Sequence, residues 1–162
     1  MQLMDVAARD WSDELLELLD IDRALLPALV ESQDEAGRVH AEAAALTGLT
    51  EGTLLVGGAG DNPAAAIGTG VYRSGRAFTT IGSSAVVYTV TDEPQIDEAG
   101  RVHTLCASVP GKWTLMSCTQ GAGLSLQWLR NQICQPEVEE AEAQGRDAYD
   151  LMTERAAEIA PG

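Results

Sequence analysis

Three short glycine-containing stretches hold the residues whose types and spacing suit chemistry. The first is Gly60-Asp61-Asn62, which sets one carboxylate between the turn Gly57-Gly58-Ala59-Gly60 and a run of small residues ending at Gly70. Residues 53–56 read as the end of a strand, because most of them are apolar or β-branched. The glycines free the turn from the Cβ restriction. Pro63 then falls in the first turn of a helix, where a missing N–H costs little. A carboxylate between a strand end and a helix start is held by rigid elements yet faces a cleft, which suits a general base. The same position suits a helix N-cap, and spacing alone leaves both readings open. The second stretch, Ile81-Gly82-Ser83-Ser84-Ala85, has successive N–H groups and hydroxyls that can hold phosphate oxygens. It reads equally as an ordinary hairpin turn. The third, Gly121-Ala122-Gly123-Leu124-Ser125-Leu126-Gln127, opens a helix. Glycine there admits a ligand to the backbone at a positively polarised helix start, or it lets helix and strand pack closely.

The elements that must position these stretches divide in character at residue 53. Residues 4–50 read as helical. Ser12 with Asp13 and Glu14 behind it is a good helix start, and Leu15, Leu16, Leu18 and Leu19 form its apolar face. A short helical segment is expected at residues 24–30, interrupted by Pro27. Another is expected at residues 39–46, closed by Gly48. No sheet is expected before residue 53. Beyond it, residues 77–81 and 85–90 read as strands separated by Gly82-Ser83-Ser84, with residues 71–75 as a connection and 91–101 as a polar loop. Residues 103–108 and 113–118 read as a hairpin across Pro110-Gly111-Lys112. A helix is expected from 121 to 134, with Leu124, Trp128 and Leu129 on one face, and a further helix from Pro136 to about residue 159. The helical opening without a sheet of its own, and the loop-like ending Ala160-Pro161-Gly162, read as a segment of a larger protein.

The bulk properties narrow the classes. The 162 residues carry a formal net charge of −15, which argues against non-specific nucleic-acid or anionic-membrane binding, since both need a cationic surface. A hydrophobic content of 45% with only 4% aromatic residues fits a globular chain. No apolar run approaches the ~18 residues of a membrane span, and the start shows no signal-peptide pattern. Cys106, Cys118 and Cys134 are odd in number and lack metal-ligand spacing, so they read as reduced, mostly buried thiols of a cytoplasmic protein. His40, on an Ala-rich helix, and His103, at a strand start, have no second ligand nearby in sequence, and no metal site is expected from either. Trp11, Trp113 and Trp128 read as core or interface anchors.

The three stretches, taken with their surroundings in order, resemble carbohydrate kinases of the FGGY family, and within it the xylulose-phosphorylating branch. The resemblance runs through Asp10-Trp11-Ser12-Asp13-Glu14-Leu15-Leu16, Gly48-Leu49, Glu51-Gly52-Thr53 and Gly58-Ala59-Gly60-Asp61-Asn62. It continues through Ile81-Gly82-Ser83-Ser84, Val102-His103-Thr104-Leu105-Cys106 and Trp113-Thr114-Leu115-Met116, and it closes with Gly123-Leu124-Ser125-Leu126-Gln127-Trp128-Leu129-Arg130.

What the resemblance implies is an α/β architecture, part of an actin-like ATPase (ribonuclease H-like) fold of two domains about a deep cleft. Residues 1–74 would be the C-terminal part of domain I and residues 75–162 the N-terminal part of domain II. The implied reaction is ATP-dependent phosphorylation of a sugar hydroxyl, D-xylulose to D-xylulose 5-phosphate, with L-ribulose, glycerol or a non-catalytic role as alternatives. Asp61 would be the general base and would share with Asn62 the task of holding the sugar. Gly82, Ser83, Gly123 and Gln127 would line the ATP site, Ser83 standing where the family commonly has Thr. Mg²⁺ would accompany ATP, with no ligands assignable in this sequence. A sugar and ATP are thus the expected partners, with no nucleic acid and no membrane. A domain face left open would promote association, so a homodimer stays open. Pro63 and Ala85 depart from the family pattern beside the two turns, as do Thr119 and Gln120. Other phosphate and adenosine motifs of the family have no counterpart among these residues, so the chain by itself is expected to be inactive.

Overall fold

The computed structural model describes residues 2–160. The chain separates into two compact units, Met1–Thr79 with Val87–Ser117, and Thr80–Val86 with Cys118–Gly162.

The first unit opens with a short ladder, β1 (Met4–Asp5) against β2 (Asp10–Trp11), and leads into α1 (Asp13–Leu18). Ser12 caps α1 by accepting from the Leu15 N–H, as its sequence position predicts. The leucine face is narrower than expected. Only Leu16 is buried, while Leu18 and Leu19 stay exposed, because a helix of six residues has room to turn just one of them inward. Residues 24–30 do not form the expected helix. A single 3₁₀ turn, Arg23–Leu25, is stopped at Leu26, whose φ of −96° and ψ of 142° are the extended geometry that a following proline imposes.

The larger correction concerns the missing sheet. β3 (Glu35–Arg38) pairs antiparallel with β4 (Leu54–Val56), with an irregularity between Glu35 and Gly37. The stretch Glu35-Ala36-Gly37-Arg38 has almost no strand propensity of its own, so pairing with the apolar β4 decides its conformation. Between them α2 (Ala41–Thr47) is closed by Gly48 at φ 75°. His40 lies at the N-cap of α2 rather than within it, accepting from the Ala43 N–H through Nδ1. After β4 comes α3 (Asp61–Gly68).

A four-stranded sheet in the order β5-β6-β8-β7 follows, made of Ala77–Ile81, Ala85–Thr91, Trp113–Thr119 and His103–Cys106. The expected hairpin forms between β7 and β8, with Cys106 opposite Trp113. The core of this unit gathers Leu16, Val39, Ala66, Val71, Tyr88, Val90 and Ala107. Tyr88 stacks on Phe78 with ring centres 5.1 Å apart, and burial pushes its phenol above the ordinary value. The buried Thr114 hydroxyl donates to the Thr89 carbonyl at 2.7 Å, so it is satisfied where it sits.

The second unit contains the β5–β6 turn and three helices, α4 (Gly123–Gln132), α5 (Gln135–Gln144) and α6 (Ala148–Ala156). The single helix expected beyond Pro136 is two. Gly145 closes α5 at φ 65°, and Asp147 opens α6 by accepting from the Tyr149 N–H. Arg155 bridges to Glu137 and Glu140, and the Arg130 guanidinium lies 4.9 Å from the Tyr149 ring centre, tying α4 and α5 to α6. The face of α4 expected to be apolar is largely open, since Leu124 and Trp128 are exposed. None of the three thiols is fully buried, contrary to expectation, and Cys118 is exposed. The loop-like ending expected at Ala160-Pro161-Gly162 falls outside the described residues beyond Ala160.

Candidate functional site

In the first unit, β4 hands the chain to α3 through residues 57–60. Gly57 is required by a close approach, because a Cβ there would lie 2.5 Å from the Glu31 carbonyl oxygen and 2.9 Å from a Val30 methyl. Gly58 takes φ 71°, in the left-handed region that favours glycine. The turn is pinned by its own N–H groups, Gly57 donating to the Asp34 carbonyl at 3.1 Å and Gly58 to the Ser32 carbonyl at 2.9 Å.

Gly60, not Asp61, is the N-cap of α3, and no side chain caps the helix. Asp61 is the first helical residue. Its Oδ1 accepts from the Asn62 N–H at 2.8 Å and from Asn62 Nδ2 at 3.4 Å. Among the described residues its Oδ2 takes no protein hydrogen bond, and the residue is exposed. Of the two readings open from the sequence, capping is therefore not what this carboxylate does. It is a carboxylate oriented by its neighbour, with its second oxygen free of protein partners among the described residues. Pro63 sits as the third residue of α3, where no N–H partner is needed.

A cavity of about 620 Å³ opens beside this turn, lined by residues 57–60 and Pro63 and by Arg9, Glu31, Cys106 and Ser108. The Ser108 hydroxyl is buried and unpartnered among the described residues. Burial pushes the Cys106 thiol above its ordinary range, with Arg9 pulling the other way.

In the second unit, Gly82, Ser83 and Gly123 come together. The Gly82 carbonyl accepts from the Gly123 N–H at 2.9 Å, and the Ser83 carbonyl accepts from Ala122 at 2.9 Å and Leu124 at 3.3 Å. A Cβ on Gly123 would lie 2.6 Å from the Gly82 oxygen, which explains the glycine by packing. The first N–H groups of α4 are thus committed to the hairpin rather than left open to an anion. The Gly82 N–H is likewise used, donating to Ser84 at 2.8 Å. The exposed Ser83 hydroxyl makes no hydrogen bond among the described residues, and Gln127 stands one helical turn beyond Gly123 on the same side of α4.

Among the described residues no three His, Cys, Asp or Glu side chains gather as a cation's ligand set. What the sequence did not reveal is the pairing of Arg9 with Glu31, 22 positions apart. No local spacing signals it, because the two residues meet only through tertiary packing.

Comparison with known proteins adds the family. Residues 1–68 match the model of the FGGY family of carbohydrate kinases, N-terminal domain. The chain is 38% identical over 125 residues to a xylulose kinase of Klebsiella pneumoniae, a match covering 77% of this chain and 26% of the relative. It is 30% identical over 161 residues to a gluconokinase of Bacillus subtilis (strain 168), covering 99% of this chain and 31% of the relative. Among solved structures, the xylulose kinase from Rhodospirillum rubrum superposes with a TM-score of 0.83 at 29% identity, covering 99% of this chain and 31% of that one. The chain therefore spans between a quarter and a third of the length of these relatives, and its mixed α/β architecture is part of their actin-like ATPase fold. By the matched residues 1–68 and by relatives that run through the rest of its length, this chain belongs to the FGGY family of carbohydrate kinases.

Proposed function

We propose that this chain forms the central part of an ATP-dependent sugar kinase that converts D-xylulose to D-xylulose 5-phosphate. The observation that carries the proposal is Asp61, exposed at the start of α3, oriented by Asn62 and keeping one carboxylate oxygen without a partner among the described residues. In this reading that oxygen takes the proton from a sugar hydroxyl as the hydroxyl oxygen attacks the γ-phosphorus of ATP. The bond between that phosphorus and the bridging oxygen breaks, and ADP leaves. Asn62 shares in holding the sugar. Phosphoryl transfer depends mainly on positioning and charge stabilisation, so one well-placed base is a sufficient acid–base group.

Gly82, Ser83, Gly123 and Gln127 are proposed to line the nucleotide site. Because the Gly82 and Gly123 N–H groups are already engaged, their contribution is close approach of the backbone. The Ser83 hydroxyl, exposed and without a hydrogen bond among the described residues, is the group proposed to meet a phosphate oxygen. Mg²⁺ would enter with ATP and add neutralising charge. The proposed boundary stays at residue 74, with domain I before it and domain II after it. The end of the family match at residue 68 supports a division in this region. A cytoplasmic location remains part of the proposal, supported by three free thiols. The 162 residues alone are proposed not to turn over, since they match less than a third of each relative's length.

A second reading is a kinase for gluconate, which the Bacillus subtilis relative favours by matching nearly the whole chain. The experiment is a coupled assay of ADP release by the protein expressed from its full reading frame, with D-xylulose, L-ribulose, glycerol and gluconate in turn. D-xylulose is expected to give the highest kcat/KM. A preference for gluconate would replace the substrate assignment. No transfer to any of the four would leave a binding or structural role in its place.

A further inference from the structure

Arg9 is one of two non-glycine residues with positive φ among the described residues, at 58°. A side chain accepts that backbone only when its surroundings hold it there. The surroundings are specific. Arg9 Nη2 donates to both Glu31 carboxylate oxygens at 2.7 Å, Nε donates to Oε1 at 3.1 Å, and Nη1 donates to the Lys112 carbonyl at 2.8 Å. The guanidinium carbon lies 5.5 Å from the centre of the Trp113 ring. The Trp113 Nε1 is itself fixed by donation to the Val6 carbonyl at 2.7 Å. Both charged side chains are substantially covered, at 19% and 32% exposure. A paired fork of this kind fixes direction as well as distance, which a lysine in the same place does not do.

Glu31 then acts through its main chain. Its carbonyl is the atom that a Cβ on Gly57 would strike, and the loop it begins supplies the Ser32 and Asp34 carbonyls that hold the Gly58 and Gly57 N–H groups. Three residues after Gly57, Gly60 caps α3, and Asp61 follows. We infer that Arg9 and Glu31 are positioning residues, clamping the loop of residues 31–34 onto the glycine turn and so setting where the Asp61 carboxylate stands. Neither touches Asp61. Their consequence for turnover rests on the kinase reading, whereas the clamp itself does not.

The test uses Glu31→Gln and Arg9→Gln, measured by amide hydrogen exchange and by the ¹⁵N resonance of Asn62, whose N–H reports its hydrogen bond to Asp61. Glu31→Gln is the cleaner variant, because it keeps the side chain's size and leaves the Arg9 bond to Lys112 in place. It also keeps the experiment decisive should Arg9→Gln fail to fold. Loss of a charge-assisted pair predicts about tenfold or greater acceleration of exchange at Gly57 and Gly58, with the Asn62 signal shifted or broadened. The β7–β8 amides of Glu31→Gln are expected to keep their protection. Unchanged exchange at Gly57 and Gly58 would overturn the inference. So would acceleration of the same size throughout the chain, which marks a general loss of stability. In the protein from the full reading frame, kcat for D-xylulose is expected to fall by about ten- to a hundredfold with KM for ATP unchanged. If the wild type transfers no phosphate at all, the kinase reading fails while the exchange result still decides the clamp.

Discussion

The turn at residues 57–60 is held from outside by a charged pair and a neighbouring loop, whereas the turn at residues 82–84 is held by main-chain donors at the start of α4. Each involves a glycine with no room for a Cβ, Gly57 within the first turn against the Glu31 carbonyl and Gly123 at the start of α4 against the Gly82 carbonyl of the second. The difference lies in what each leaves free. At the first turn the side-chain carboxylate of Asp61 keeps an uncommitted oxygen. At the second, the N–H groups of Gly82 and Gly123 are spent on the fold, while the Ser83 hydroxyl takes no hydrogen bond among the described residues. The same kind of sequence therefore presents an exposed carboxylate in one unit and a close backbone approach with a hydroxyl in the other.

Substitutions can break this contrast, and the largest effect is expected at Asp61. Asp61→Asn keeps the side chain's shape and its acceptor for Asn62 but removes the proton acceptor. In the active protein kcat should fall by about 10²- to 10⁴-fold. The thermal transition should stay almost unmoved, since exposed positions of this kind shift stability by about 0.5 kcal/mol or less. Turnover close to wild type would remove Asp61 from the mechanism.

The next effect is steric and should appear in both turns. Gly57→Ala and Gly123→Ala each force a methyl against a carbonyl oxygen, at 2.5 Å and 2.6 Å before relaxation. Overpacking of this order costs about 1–3 kcal/mol, readable by urea denaturation. Hydrogen exchange should localise the loss to the unit that carries the substitution. A Gly123→Ala protein as stable as wild type would show that the α4–hairpin contact yields easily.

Ser83→Ala sharpens the contrast at smaller scale. The structural part of Ser83 is its carbonyl, so stability should not change. Loss of one hydrogen bond to a phosphate oxygen, about 1–2 kcal/mol, should raise KM for ATP several-fold, measured by initial rates. An unchanged KM would leave the second turn with a purely architectural role.

The smallest expected effect lies outside both turns. In the loop before β7, hydrogen bonds from Arg101, side chain first and then backbone, hold the Asp97 carboxyl down to about 2 from its ordinary 3.8. The unfolded chain thus binds this proton more readily than the folded one. The contribution is complete above the unfolded value and is lost as pH falls through the folded one. Wild type and Asp97→Asn should therefore differ in stability near neutral pH and converge between about pH 4 and pH 2 in an acid titration followed by circular dichroism. A difference that persists at the acid end would assign the effect of the substitution to something other than this charge.

Much of the fold was legible wherever local chemistry and tertiary context agreed. The strand Ala77–Ile81, the β7–β8 hairpin, the Ser12 cap and the Gly48 terminus all follow from residues acting within a few positions of one another. The break at Gly145 and Asp147 was missed although its signals are local, a glycine terminus followed by an aspartate cap, because the helical pattern resumes on both sides of it. β3 was not legible. Glu35-Ala36-Gly37-Arg38 becomes a strand only because Leu54–Val56 offers it a partner.

The sequence alone determined the inventory of chemistry, one acid after a glycine turn, a Gly-Ser-Ser hairpin and a glycine-led helix, because these are properties of residue type and short spacing. Only the tertiary structure decided their use. It placed Asp61 at the first helical position instead of the cap, committed the α4 N–H groups to Gly82 and Ser83, and joined Arg9 to Glu31 across 22 residues. The physical reason is common to all three. A hydrogen bond or ion pair needs about 3 Å between its atoms, and for groups distant in the chain that distance is set by the packing of everything between them.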